Sequence, residues 1–206
     1  MGKSTAANML ESLGVAVHDS DACVHDLFVR NHHVQKELMQ IFPYILHLRL
    51  YGKKDANGNR IINRKRLGEY VFKRPKERKK LENILHPRVR DSQNAFIRQH
   101  RNAGADIIAL DIPLLFETHA DTRVDYVITV AAPRFIQNAR VLGRPGMHEK
   151  KYNAIRAAQM SDEEKIMRSD FVLPTGLGRA YTMKALKQII HDLRAHNTHH
   201  KILKKG

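Results

Sequence analysis

Apolar and polar positions alternate along this chain in short blocks, with runs of apolar residues separated by stretches of helical spacing. Ala6, Met9, Leu10 and Leu13 recur at helical intervals, and Gly14 ends that helix. Val15-Ala16-Val17 follows as a short run that predicts a buried strand. Residues 106–111, after Gly104, and residues 126–131 predict two more buried strands. Pro133 is placed to open a helix reaching about Leu142. Ser161-Asp162-Glu163-Glu164 has capping-box spacing and predicts a helix start leading towards Arg168. Phe171-Val172-Leu173 predicts a last short strand, and residues 181–193 a closing helix. Strands alternating with helices predict an α/β protein, a parallel sheet flanked by helices.

One stretch departs from that alternation. Residues 22–101 are mostly helical in spacing and too long for a crossover helix, which predicts an inserted helical subdomain. Asp55-Ala56-Asn57-Gly58-Asn59 is a turn signal inside it. Leu81, Ile84 and Leu85 share a helix that His86-Pro87 is expected to end. The remaining core is residues 1–21, 102–139 and 160–195, with 196–206 expected to be a flexible tail. His196, His199 and His200 in that tail are metal-ligand types, although a disordered polar tail is the plainer reading.

Composition narrows this picture. A chain of 206 residues, 42% hydrophobic, suits one sizeable domain with an insert. No run of 18 apolar residues occurs, so no membrane partner is expected. The single cysteine, Cys23, leaves no internal disulfide to form and suits the cytoplasm. The net charge is +15, and residues 49–101 hold 17 Lys and Arg against 5 Asp and Glu, a net +12. A surface of that kind attracts nucleic acid or a phosphorylated small molecule, unless it is simply a solvated basic face.

Candidate chemistry begins at the first residues. Gly2-Lys3-Ser4-Thr5 is the second half of the phosphate-loop pattern G-x-x-x-x-G-K-[ST], set before a helix; the alternative is an ordinary helix start. In such a loop, backbone N–H groups cradle phosphates, Lys3 would reach the terminal phosphates and the Ser4 hydroxyl would ligate Mg²⁺. Asp19-Ser20-Asp21 follows the predicted strand at the end where open α/β sheets bind ligands. A carboxylate there can accept the proton of a hydroxyl receiving a phosphoryl group, or it can cap a helix. Asp111 ends another strand as a Walker-B-like acid or a turn residue, and Arg140 with Arg144 forms a basic i, i+4 pair.

Together these motifs resemble the dephospho-CoA kinases, a branch of the P-loop NTPase-like nucleotide-monophosphate kinases, over nearly the whole chain. The resemblance is carried by Gly2-Lys3-Ser4-Thr5, Val17-His18-Asp19-Ser20-Asp21-Ala22 with His25, Asn57-Gly58, Arg66-Leu67, Val71-Phe72 and Leu85-His86-Pro87. It continues through Pro113-Leu114-Leu115-Phe116-Glu117, Gln137 with Arg140, Ala157-Ala158-Gln159-Met160 and Ser169-Asp170-Phe171-Val172. It implies transfer of a phosphoryl group from ATP, with Mg²⁺, to the ribose 3′-hydroxyl of dephospho-CoA. Asp21 would be the base, Lys3 the phosphate clamp and Arg140 an arginine of a lid spanning residues 140–159. Gly2, Lys3, Ser4, Thr5 and Arg140 would bind ATP, with Ser4 on Mg²⁺. Asp19, His86, Pro113 and Glu117 would face dephospho-CoA.

Pro174-Thr175-Gly176 departs from the family, which more often carries an acidic residue and Asn after the last strand. Arg144-Pro145-Gly146 departs from an acidic turn often found in the lid. The first loop glycine and the central strand before it do not occur in the sequence, and restoring them would add roughly ten residues. Lacking that strand, the chain is expected to be distorted near residues 15–17 and 106–111. A monomer with no nucleic-acid partner is expected. Two alternatives stand beside the kinase: a truncated, inactive nucleotide- or CoA-binding remnant, and a basic nucleic-acid-binding protein.

Overall fold

The structure, a computed structural model, describes residues 2–54, 58 and 60–203, with side chains at all of these except 53 and 196–203. In chain order the elements are α1 (Lys3–Ser12), β1 (Ala16–Asp19), α2 (Ser20–Arg30), α3 (His32–Ile41), β2 (Tyr51–Lys54), β3 (Arg60–Ile62), α4 (Arg64–Phe72) and α5 (Pro75–Asn102). They continue as β4 (Ile108–Asp111), β5 (Ile128–Ala131), α6 (Arg134–Leu142), α7 (Glu149–Ala157), α8 (Asp162–Met167), β6 (Phe171–Pro174) and α9 (Arg179–Leu203). The chain forms two compact units, residues 1–17 with 104–206, and residues 18–103.

The first unit is α/β. Its strands β5 and β6 run parallel in register from Ile128↔Phe171 to Ala131↔Pro174, and β1, which begins in this unit, pairs with β4. Helix α9 carries Leu186, Ile189, Ile190 and Leu193 on one stripe, spaced three and four apart. That stripe packs on Ala6 and Met9 of α1, on Val15 and on Leu173 of β6, so both helices share one apolar core with the strands. The side chains of Ile107, just before β4, and of Ala109, Ile128 and Val130 in the strands close this core. At α8 the capping box is present: Ser161 Oγ accepts from Glu164 N, and the Glu164 carboxylate accepts from Ser161 N.

The second unit is a helical cluster around a hairpin. Val34 and Leu38 of α3, with Phe42 just beyond, meet Leu67 and Val71 of α4 and Leu81, Ile84 and Leu85 of α5. A buried amide knits this core: Gln35 donates to the Phe28 carbonyl at 2.6 Å and accepts from Ile62 N at 3.1 Å. Burial without partners would cost such an amide a few kcal/mol, so both ends are satisfied.

Three features differ from the sequence reading. The stretch expected to be helical contains the antiparallel pair β2–β3, with Tyr51↔Ile62 and Lys54↔Arg60 and an irregular step between. His86-Pro87 does not end a helix; Pro87 sits inside the 28-residue α5. Its missing N–H breaks one rung, but Arg88 Nη1 donates to the Ile84 carbonyl at 2.7 Å, and buried Leu81, Ile84, Leu85 and Gln93 hold both sides of the break. The closing helix continues to Leu203, past the residue 193 limit of the apolar pattern. Most of the turn at 55–59 and the side chains of His196, His199 and His200 lie outside the described residues. Among the described residues no helix is long and apolar enough to cross a membrane.

Candidate active site

In the first unit the site is built from the start of α1 and the end of β4. Gly2 caps α1 in the left-handed region, at φ 98° and ψ 4°, where an L side chain is strained. Its carbonyl already accepts from Ala6 N at 2.9 Å, so the helix begins at once and presents its free N–H groups. Those groups and the helix dipole favour an anion there. Lys3 turns its ammonium onto Asp111 Oδ1 at the end of β4, forming an ion pair with a carboxylate only 9% exposed. Ser4, next along, is exposed, and Thr5 is half-buried.

Arg140 lies in the last turn of α6 and donates to the Thr175 carbonyl at 3.1 Å, just beyond β6. Gly176 follows with no room for a side chain: a methyl there would stand 2.7 Å from Pro133 Cδ, at the cap of α6. The three sequence candidates Lys3, Asp111 and Arg140 thus all attach to strand ends of this unit.

The segment after β4 carries Pro113, which is exposed, and Glu117, which is largely buried. Glu117 Oε1 is engaged by Lys165 Nζ at 3.1 Å and by Met160 N at 3.0 Å. Burial pushes the Glu117 carboxyl up, but its own backbone N–H, Lys165 and the Met160 N–H outweigh it and hold the group below the usual carboxylate range. One turn later Arg168 meets Asp121 at 2.8 Å and lies over the Phe116 ring, 4.6 Å from its centroid. Lys165 and Arg168 went unrecognised as site neighbours. The signal was available, since the capping box at Ser161 sets both on one face of a helix three residues apart.

In the second unit Asp19 ends β1 and caps α2, with Oδ1 accepting from Ala22 N at 2.9 Å. Asp21 stands in the first turn of α2, exposed, and its carboxylate has no hydrogen-bond or ion-pair partner among the described residues. Directly before them lies a buried polar group that the sequence reading passed over. His18, 7% exposed, bonds Ser92 Oγ through Nε2 at 3.0 Å and packs edge-on to Phe96 of α5. Ser20, equally buried, bonds Gln93 at 3.0 Å. Burial holds the His18 pKa below its ordinary value, against a hydrogen bond to its own backbone and the Asp19 charge. His86 is half-buried on α5.

The oxygen donors near the start of α1 fit Mg²⁺. The Ser4 hydroxyl and the Asp111 carboxylate are hard ligands, and Lys3, beside Ser4, already touches Asp111. Mg²⁺ binds through one or two protein oxygens plus phosphates and water, so it does not require a cage of acidic residues.

A sequence model described as dephospho-CoA kinase matches residues 1–177. A dephospho-CoA kinase of Mesorhizobium japonicum is 43% identical over 195 residues, which is 94% of this chain and 92% of that protein. That of Paramagnetospirillum magneticum is 45% identical over 165 residues, 80% of this chain and 73% of that one. Among solved structures, the protein TT1252 of Thermus thermophilus superposes with a TM-score of 0.73 at 30% identity, covering 93% of this chain and 92% of that one. The dephospho-CoA kinase of Campylobacter jejuni gives 0.65 at 25% identity, covering 95% and 93%.

Proposed function

The chain belongs to the dephospho-CoA kinase family, and we propose that it transfers the γ-phosphoryl group of ATP to the ribose 3′-hydroxyl of dephospho-CoA. The observation that carries this reading is the start of α1, where free N–H groups, Lys3 and the end of β4 with Asp111 come together. Gly2, Lys3, Ser4 and Thr5 bind the ATP phosphates, with Arg140 contributing a second cation from α6. Ser4 would hold Mg²⁺, which would supply neutralisation of the phosphate charge.

Asp21 accepts the 3′-hydroxyl proton as that oxygen bonds to the γ-phosphorus, while the bond to the bridging oxygen breaks and ADP leaves. Its free, exposed carboxylate supports that role. Asp19, His86 and Pro113 serve the dephospho-CoA side. Glu117 serves it at one remove, by holding the start of α8 through Met160 and Lys165. The basic surface of residues 49–101 attracts a pyrophosphate-bearing substrate. The protein works in the cytoplasm as a monomer.

The test is an assay with ATP, Mg²⁺ and dephospho-CoA that follows coenzyme A and ADP together. Both products are expected in equal amounts. The Asp21→Asn variant should lose about 10²–10⁴ in turnover while still binding ATP. Undiminished turnover removes Asp21 from the mechanism, and ADP without coenzyme A refutes the assigned acceptor.

A further inference from the structure

Beyond the last strand of the first unit, one residue borders three parts of the nucleotide site. Thr175 is 7% exposed, and its N–H and hydroxyl both donate to the Ala131 carbonyl, at 2.8 and 3.1 Å. Those bonds carry the β5–β6 ladder one step past its Ala131↔Pro174 pair. Its own carbonyl accepts from Arg140. On the remaining side lies Gly2: a methyl placed there would stand 3.0 Å from Thr175 Oγ1 and 3.1 Å from Cβ and Cγ2. Carbon atoms pack best at about 3.5–4.0 Å, so the whole threonine side chain fills the space a larger loop residue would need.

We propose that Thr175 is a positioning residue for ATP, acting through Gly2 and Arg140. This inference rests on the kinase reading. The hydroxyl bond to Ala131 fixes the side-chain rotamer, so that Oγ1 and Cγ2 form a floor beneath Gly2. That floor sets where the first N–H groups of α1 and the Lys3 side chain stand, while the carbonyl tethers Arg140. A longer residue at 175 lifts the loop. Serine keeps the anchor and loses one methyl.

The experiment measures the calorimetric Kd for ATP, the KM for each substrate and the melting temperature. The Thr175→Ser variant should keep its Kd within about twofold. The Thr175→Leu variant should weaken ATP binding about tenfold or more, with the KM for dephospho-CoA little changed at a temperature below its melting point. An arm independent of leucine's bulk uses Gly2→Ala, which strains the loop, combined with Thr175→Ala, which removes Oγ1 and Cγ2. The double variant should bind ATP about threefold or more tighter than Gly2→Ala alone. Two results overturn the inference while leaving the kinase intact: a Thr175→Leu variant that binds ATP like the wild type, or a double variant no better than Gly2→Ala. Failure of the wild type itself to bind ATP would sink the kinase reading, and this inference with it.

Discussion

His18 is a polar ring held among apolar and hydroxyl neighbours, and its neutral form is the one that fits. With its folded pKa below 6.5, the unfolded chain takes up the proton first as pH falls. The stabilising contribution is therefore complete above about 6.5 and is lost as pH drops through the folded value. A series of denaturant melts should show wild-type stability declining over that window, and a His18→Gln variant declining less steeply. Parallel curves would remove His18 as the cause. Local sequence offered little warning, because the groups facing this ring come from α5, 74 positions away at Ser92. Lys3 and Asp111 were each legible as residue types, but their pairing spans 108 positions and only the fold supplies it.

Elements were legible in proportion to how local their signals are. The box at Ser161 depends on three consecutive spacings, and the strand runs of β5 and β6 on a few apolar residues, so both emerged from sequence alone. The β2–β3 pair did not, because Tyr51-Gly52-Lys53-Lys54 and Arg60-Ile61-Ile62 lack alternation and their inward residues matter only once α3 and α4 cover them. Pro87 misled for the opposite reason: a strong local rule lost to packing on both sides of it.

The tie between Glu117 and α8 belongs to this scale. Glu117→Gln leaves Lys165 without its anion and should cost about 1–3 kcal/mol, read as a lower melting temperature. The carboxyl titrates low, so the wild type loses this advantage as pH falls below about 4.5 and through the folded value, and there the two proteins should converge. A gap that persists in acid would point to packing rather than charge.

At the scale of the molecule, the described residues form two apolar cores. Leu67 is fully buried in the core of residues 18–103, and Leu186 in that of residues 1–17 with 104–206. Leu67→Ala should cost about 2–5 kcal/mol. Hydrogen exchange should then show protection falling mainly in α3, α4 and α5, with α1 and α9 changing less. An equal fall everywhere would mean that the two cores open as one. In sequence, the break in the strand–helix alternation over residues 22–101 led to the expectation of an inserted helical subdomain.

The Lys3–Asp111 pair has a consequence for how the nucleotide arrives. Before any phosphate is present, the ammonium already holds an anion of the protein's own making. Under the kinase reading, ATP enters by substitution, trading one negative partner for another, so the affinity it displays is a difference between two attractions and not the whole of either. Under the same reading, that exchange would free the Asp111 carboxylate, an oxygen ligand of the kind Mg²⁺ takes.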